Sequence, residues 1–240
     1  MIRKIVIIII VLMVLLLGLS YHHSLMREQG EQFIAHAYYG DLESVKEDVE
    51  NGVPLDTVFY FSDDERGYNG VVFNALHAAA SSGNEDIINF LLENNFDIDA
   101  QTPDGWTPIF IAARDGNTEA AKLLIFLQAG LNIKSNLGAT ALLMAVTQPY
   151  PTEEERLDLV TYMLKRGAEP NIPDRIDKRP LFYAAIMQKL PVVEVLLENG
   201  AQVTPELYEK VSAFLEKEKT TTAKKILQHL KKYMKKITDK

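Results

Sequence analysis

Five histidines and no cysteine limit the chemistry open to this chain. Without cysteine there is no disulfide, no thiolate metal site and no thiol nucleophile. The histidines are His22, His23, His36, His77 and His229. His22 and His23 adjoin the apolar run and could hold a metal, but adjacent residues on a helix point in different directions. Glu153, Glu154 and Glu155 form a carboxylate run, but they open a helix, where acids are stabilised by the positive end of the dipole. The sequence contains no glycine-rich phosphate loop, no G-x-S-x-G and no metal-spaced His/Glu set. The expectation is no catalytic residue, no metal, no cofactor and no small-molecule substrate.

Composition supports a packed body. Hydrophobic residues make up 47% of the chain and charged residues 24%, enough apolar surface to outweigh the entropy of ordering it. The net charge is −8, which argues against nucleic-acid binding. That charge is uneven. From Pro205 to Lys240 ten Lys face five acidic residues, so this tail carries +5 and the remainder −13.

At the N-terminus Arg3 and Lys4 precede an apolar run from Ile5 to Leu19. A basic start followed by a run that is apolar on every face has the grammar of an export signal or membrane anchor. Extending it to Tyr21 gives 17 residues, about 25 Å of helix at 1.5 Å per residue, enough for a thin bilayer. Residues 1–21 are therefore read as a signal anchor, or else a signal peptide cleaved near Gly18-Leu19-Ser20. Residues 22–31 follow as a linker. Arg3 and Lys4 stay on the cytoplasmic side, which sends the rest of the chain across.

The elements that would position any site repeat. Phe73-Asn74-Ala75-Leu76-His77-Ala78-Ala79-Ala80 aligns with Trp106-Thr107-Pro108-Ile109-Phe110-Ile111-Ala112-Ala113 at an offset of 33 residues. Gly105 and Gly138 keep the same spacing, and a further copy opens at Arg179-Pro180-Leu181-Phe182-Tyr183-Ala184-Ala185. Each copy continues into a second helix that ends in an apolar pair and a turn, such as Leu196-Leu197-Glu198-Asn199-Gly200. Paired alanines let first helices approach closely. Gly83 and Gly116, each followed by Asn, end one helix and cap the next. No such unit buries its apolar face alone, so stacking supplies the core.

This pattern resembles the ankyrin-repeat family, which has a 33-residue period and a T-P-L-H-x-A motif. The resemblance implies an all-α solenoid of about five helix-turn-helix units with β-hairpin loops over residues 32–204, behind the N-terminal hydrophobic helix. Residues 57–72 are an insertion whose aromatic and β-branched flanks read as an extended hairpin. Residues 205–240 read as capping helices, with Lys224, Lys225, Lys231 and Lys232 on the wet side. Thr147 to Thr152 lengthen the fourth interhelix turn, and Thr152 with Glu155 reads as a capping box restarting the second helix. His77 falls at the family's structural histidine position.

In that family partners meet the hairpin tips and the exposed side of the first helices. Carried over, the partner-binding positions are Tyr38, Tyr39, Phe73, Ser81, Ser82, Trp106, Arg114, Asp115, Thr147 and Gln148. Phe59, Tyr60, Phe61 and Tyr68 would add to them from the inserted hairpin. Large aromatics are common binding anchors. The expected function is an exported, non-catalytic module of a bacterial envelope that binds another protein. Residues 5–21 would hold it in the inner membrane with the repeats in the periplasm, or cleavage would leave it soluble there. The alternative is an immunity protein that neutralises a secreted effector such as a phospholipase toxin, as some family members do.

Overall fold

The computed structural model describes residues 27–53, 59–63 and 68–238. The N-terminal segment read as a signal anchor lies outside the described residues. Among the described residues no helix is long and apolar enough to cross a membrane.

Helices follow one another in pairs. The first pair is α1 (residues 27–39) and α2 (Leu42–Glu50). Two strands come next, β1 (Phe59–Asp63) and β2 (Tyr68–Phe73). The second to fifth pairs are α3 (Ala75–Ser82) with α4 (Glu85–Glu93), α5 (Pro108–Asp115) with α6 (Thr118–Phe126), α7 (Ala141–Thr147) with α8 (Glu153–Lys165), and α9 (Pro180–Ile186) with α10 (Leu190–Glu198). A longer pair, α11 (Pro205–Glu218) and α12 (Thr221–Thr238), closes the chain. The first helices α3, α5, α7, α9 and α11 stack in order, and so do the second helices α2 to α12.

Local sequence explains the starts. Asn74, Thr107 and Thr140 each cap a first helix, their side chains accepting from the backbone N–H three residues on. Arg179 gives no such cap, and Pro180 supplies the first-turn φ instead. Ala79, Ala80, Ala112, Ala113, Ala145, Ala184 and Ala185 are fully buried. Their small side chains let the first helices pack closely. Ile87, Ile88 and Leu91 of α4 and Leu124 of α6 fill the layer between the two helix rows.

Two details revise the expectations. The linker was expected to run to residue 31, but residues 27–31 are already helical. Arg27 and Glu31 pair across one turn at 2.9 Å, and Glu and Gln favour helix there. In the fifth turn Gln188 stands where the second and third have glycine, and it takes the left-handed conformation at φ 55°.

β1 and β2 pair antiparallel, Phe59 with Phe73, Tyr60 with Val72, Phe61 with Val71 and Asp63 with Tyr68. The hairpin leads directly into α3, so its second strand ends at the position that precedes a first helix in every later unit.

Candidate protein-binding face

Aligned on the helix caps, the face made by the hairpin tips and first helices has three rows. The residues before the caps are Phe73, Trp106, Ala139 and Lys178. The next row, one turn in, is His77, Phe110, Leu143 and Phe182, and the last is Ser81, Arg114, Thr147 and Ile186. The i, i+4 spacing sets these side chains one above another.

The second unit is closed. Phe73 is fully buried and stacks on the His77 ring, with centroids 5.9 Å apart and planes 9° from parallel. His77 Nε2 lies 3.0 Å from both the Ala100 and Trp106 carbonyls, tying the helix start to the next hairpin. Burial pushes its pKa down to about 4, so the ring is neutral and the Nε2–H donates. Ser81 is buried, and its hydroxyl donates to Asp115 Oδ2 at 2.8 Å.

The third unit is open. Trp106 is half-buried and stacks on Phe110, with centroids 5.9 Å apart. The Arg114 guanidinium lies 4.8 Å from the Trp106 ring centroid and pairs with Asp115 at 2.8 Å. A ring flanked by another ring and a cation is held flat, and Trp106 stays partly exposed in that position.

Other candidates divide the same way. Tyr39 is 70% exposed, whereas Tyr38 packs inside with its ring edge-on to Tyr39 at 5.3 Å. Ser82 is half-buried and its hydroxyl bonds back to the Ala78 carbonyl. The Thr147 hydroxyl likewise donates to the Leu143 carbonyl at 2.8 Å, and Gln148 ends α7. Tyr38, Phe73 and Ser81 are therefore corrected from contact positions to core positions. The sequence motif places them beside the face, but packing between neighbouring units covers them. Phe59, Tyr60, Phe61 and Tyr68 lie in the hairpin strands; their side chains fall outside the described residues.

The tips form a backbone ladder. Asn136 N–H donates to the Asp104 carbonyl at 2.9 Å, and Arg175 N–H to the Leu137 carbonyl at 2.8 Å. This close approach needs glycine: a Cβ on Gly105 would lie 2.9 Å from Asn136 N, at a left-handed φ of 77°.

Sequence reading missed Tyr150 and Arg156. The Tyr150 hydroxyl donates to the Ala113 carbonyl at 2.6 Å. Arg156, 3% exposed, donates from Nη1 to the carbonyls of Ala145 at 3.2 Å and Val146 at 3.1 Å, and to that of Gln148. An arginine in a helix after three glutamates reads as a surface residue, and only the lengthened turn before it hinted otherwise. The exposed tip residues Leu137 and Ile176 were also missed. Their shared place, one residue before Gly138 and Asp177, was the available signal.

Among the described residues, the other two histidines pair with carboxylates of neighbouring helices. His36 lies 2.7 Å from Asp48 and His229 lies 3.2 Å from Glu194. Thr152 caps α8 by accepting from the Glu155 N–H at 3.1 Å, which places the glutamate run in the first turn. His22 and His23 lie outside the described residues.

Stacked helix pairs, tips joined by backbone bonds and a histidine bonded to the next hairpin define a helical-repeat solenoid. The family model described as ankyrin repeats (3 copies) matches residues 33–135 and 76–174. The chain belongs to the ankyrin-repeat family, whose repeats are protein-interaction modules and generally non-catalytic. It is similar to ankyrin repeat, SAM and basic leucine zipper domain-containing protein 1 of Dasypus novemcinctus, at 32% identity over 124 residues. That match covers 52% of this chain and 26% of the relative. The Homo sapiens protein of the same name is 30% identical over 107 residues, covering 45% and 22%. The chain thus spans about a quarter of the length of these curated relatives.

Proposed function

We propose that this chain is a non-catalytic protein-binding module, exported and anchored in the bacterial inner membrane by residues 5–21, with its repeats in the periplasm. The observation that carries the binding role is the Trp106 ring, half-exposed and held between Phe110 and Arg114. A tryptophan fixed this way offers its open part to a partner at little conformational cost, as binding hot spots do. The second unit is closed by the buried Phe73 and Ser81, so the partner is centred on α5 and not on α3. Support for the anchor comes from the sequence, where Arg3 and Lys4 precede the unbroken apolar run.

Two experiments test this reading. Carbonate washing of membranes should leave the chain in the pellet, and external protease should reach it in spheroplasts but not in intact cells. Release by the wash contradicts the anchor, and protection in spheroplasts contradicts the exported orientation. Trp106→Ala should weaken partner binding by roughly 10- to 100-fold, a hot-spot loss of about 1.4–2.8 kcal/mol. If the bound partner is a lipase whose activity falls on binding, the role is immunity.

A further inference from the structure

The two ends of the second-helix row carry opposite charge. α2 opens that row and α12 closes it, so among the described residues each has a row neighbour on one side only. α2 turns Leu42, Val45 and Val49 inward and leaves Glu43, Glu47 and Glu50 exposed on its other side. α12 turns Ala223, Ile226 and Leu230 inward and leaves Lys224, Lys225, Lys231 and Lys232 exposed on its other side. Both charged stripes face away from the stack.

These charges are largely unmet within the chain. Glu43 pairs with Lys46 at 2.7 Å, but Glu47 and Glu50 form no ion pair among the described residues. The four α12 lysines form none either, although α10 and α11 both carry carboxylates. Glu194 of α10 lies 3.2 Å from His229 instead, and Glu206 of α11 pairs with Lys210. The imbalance is regional as well. Residues 27–53 hold seven acidic residues against Arg27 and Lys46, while α12 has six Lys and no acidic residue. The stripes also match in length, since Glu43 to Glu50 spans about 10 Å of helix and Lys224 to Lys232 about 12 Å, at 1.5 Å per residue.

We infer that copies of this chain associate head to tail, the lysine side of α12 in one copy lying on the acidic side of α2 in the next. The contact carries the second-helix row from one copy into another, with the helix-beside-helix arrangement that already joins α10 to α12. A second copy accounts for both stripes at once. An anionic lipid surface would account for the lysines alone and would repel the acidic body. Because the contact joins unlike surfaces, it leaves a free stripe at each end and propagates beyond a dimer. Exposed ion pairs each contribute little, so the association is weak and screened by salt. It uses neither the Trp106 face nor the anchor, and it stands or falls apart from the proposed function.

The natural absence of cysteine makes a clean test possible. The full chain is purified in non-ionic detergent in two forms, one carrying Lys231→Cys and the other Glu47→Cys, then mixed at low salt and mildly oxidised. Disulfide dimers are expected between the two forms and not within either form alone, with a yield that falls roughly tenfold at physiological salt. Lys224→Glu, Lys225→Glu and Lys232→Glu together in the first form should cut the yield by a similar factor. Adding Glu43→Lys and Glu50→Lys to the second form should then restore it, a rescue that a misfolded first form could not show. No dimer between the forms, equal dimers within one form, or a yield indifferent to the charge reversals overturns the inference. So does lysine-dependent binding to phosphatidylglycerol vesicles with no disulfide dimer, which would make the α12 surface lipid-directed.

Discussion

The turns within the second and third units and the turn within the fourth solve one problem with different residues. In the second unit the Asn84 amide donates to the Ala37 and Tyr38 carbonyls at 3.2 and 3.3 Å. In the third the Asn117 amide does the same for Ala80 and Ser81, at 3.1 and 2.6 Å. The fourth unit has no Gly-Asn turn. There the Tyr150 phenol takes over for Ala113, and Arg156 satisfies Val146 together with Ala145 and Gln148. Ala37, Ala80, Ala113 and Val146 are equivalent places near the ends of successive first helices, where carbonyls lack an intrahelical partner. What repeats is an unmet carbonyl, and an amide, a phenol or a guanidinium can each meet it. The early units meet it with a short amide that reaches back to the preceding unit, whereas the fourth relies on two long side chains and a bent turn.

That difference can be broken at its strongest point. Arg156→Met should cost about 3–5 kcal/mol in urea unfolding, because removing a buried cation strands the carbonyls it bonded. Arg156→Lys should recover less than half of this, since an ammonium lacks the planar fork. A cost below about 1 kcal/mol, the net worth of an ordinary hydrogen bond, would remove Arg156 from the account.

Acid probes the early half. His77 holds its proton with a pKa of about 4 in the folded chain against 6.5 ordinarily. The unfolded chain therefore binds more protons between these values, and stability falls as pH drops through that window. It is fully present above about pH 6.5 and lost by about pH 4, with a total near 3 kcal/mol at 1.36 kcal/mol per unit. His77→Leu, which places the Leu143 residue type here, should flatten that part of the curve. An unchanged slope would show that the ring does not titrate as described.

Smaller changes sharpen the equivalence of the caps. Asn117→Ala should cost about 1–3 kcal/mol, as it strands two carbonyls, and Tyr150→Phe about 1 kcal/mol. If Tyr150→Phe cost more than Asn117→Ala, the phenol would be a packing element first and a cap second. In a stacked array each loss should be confined largely to the edited unit and its neighbours. Hydrogen exchange resolved by segment checks this.

The period and caps were legible because they are local. Thr107, Thr140, Gly83 and Gly116 announce helix ends within four residues of themselves, and the alanine pairs mark the first helices. The contact face was legible only in part. Position in the motif identifies the row to which Phe73 and Trp106 both belong, yet one is buried and the other half-open. That outcome depends on whether a neighbouring unit covers the ring, a property of the stack and not of the residue. Arg156 was illegible for a related reason. Its carbonyl partners lie 8 to 11 residues away, across a turn whose path the sequence does not specify.

The central claim is that the face around α5 binds a protein. Its most direct test is isolation of the tagged full chain from native membranes after light crosslinking, comparing the unaltered protein with the double variant Trp106→Ala, Arg114→Ala. The account predicts one stoichiometric protein partner, lost from a variant whose melting curve shows that it remains folded. The same partner recovered in equal yield from the folded variant would contradict it.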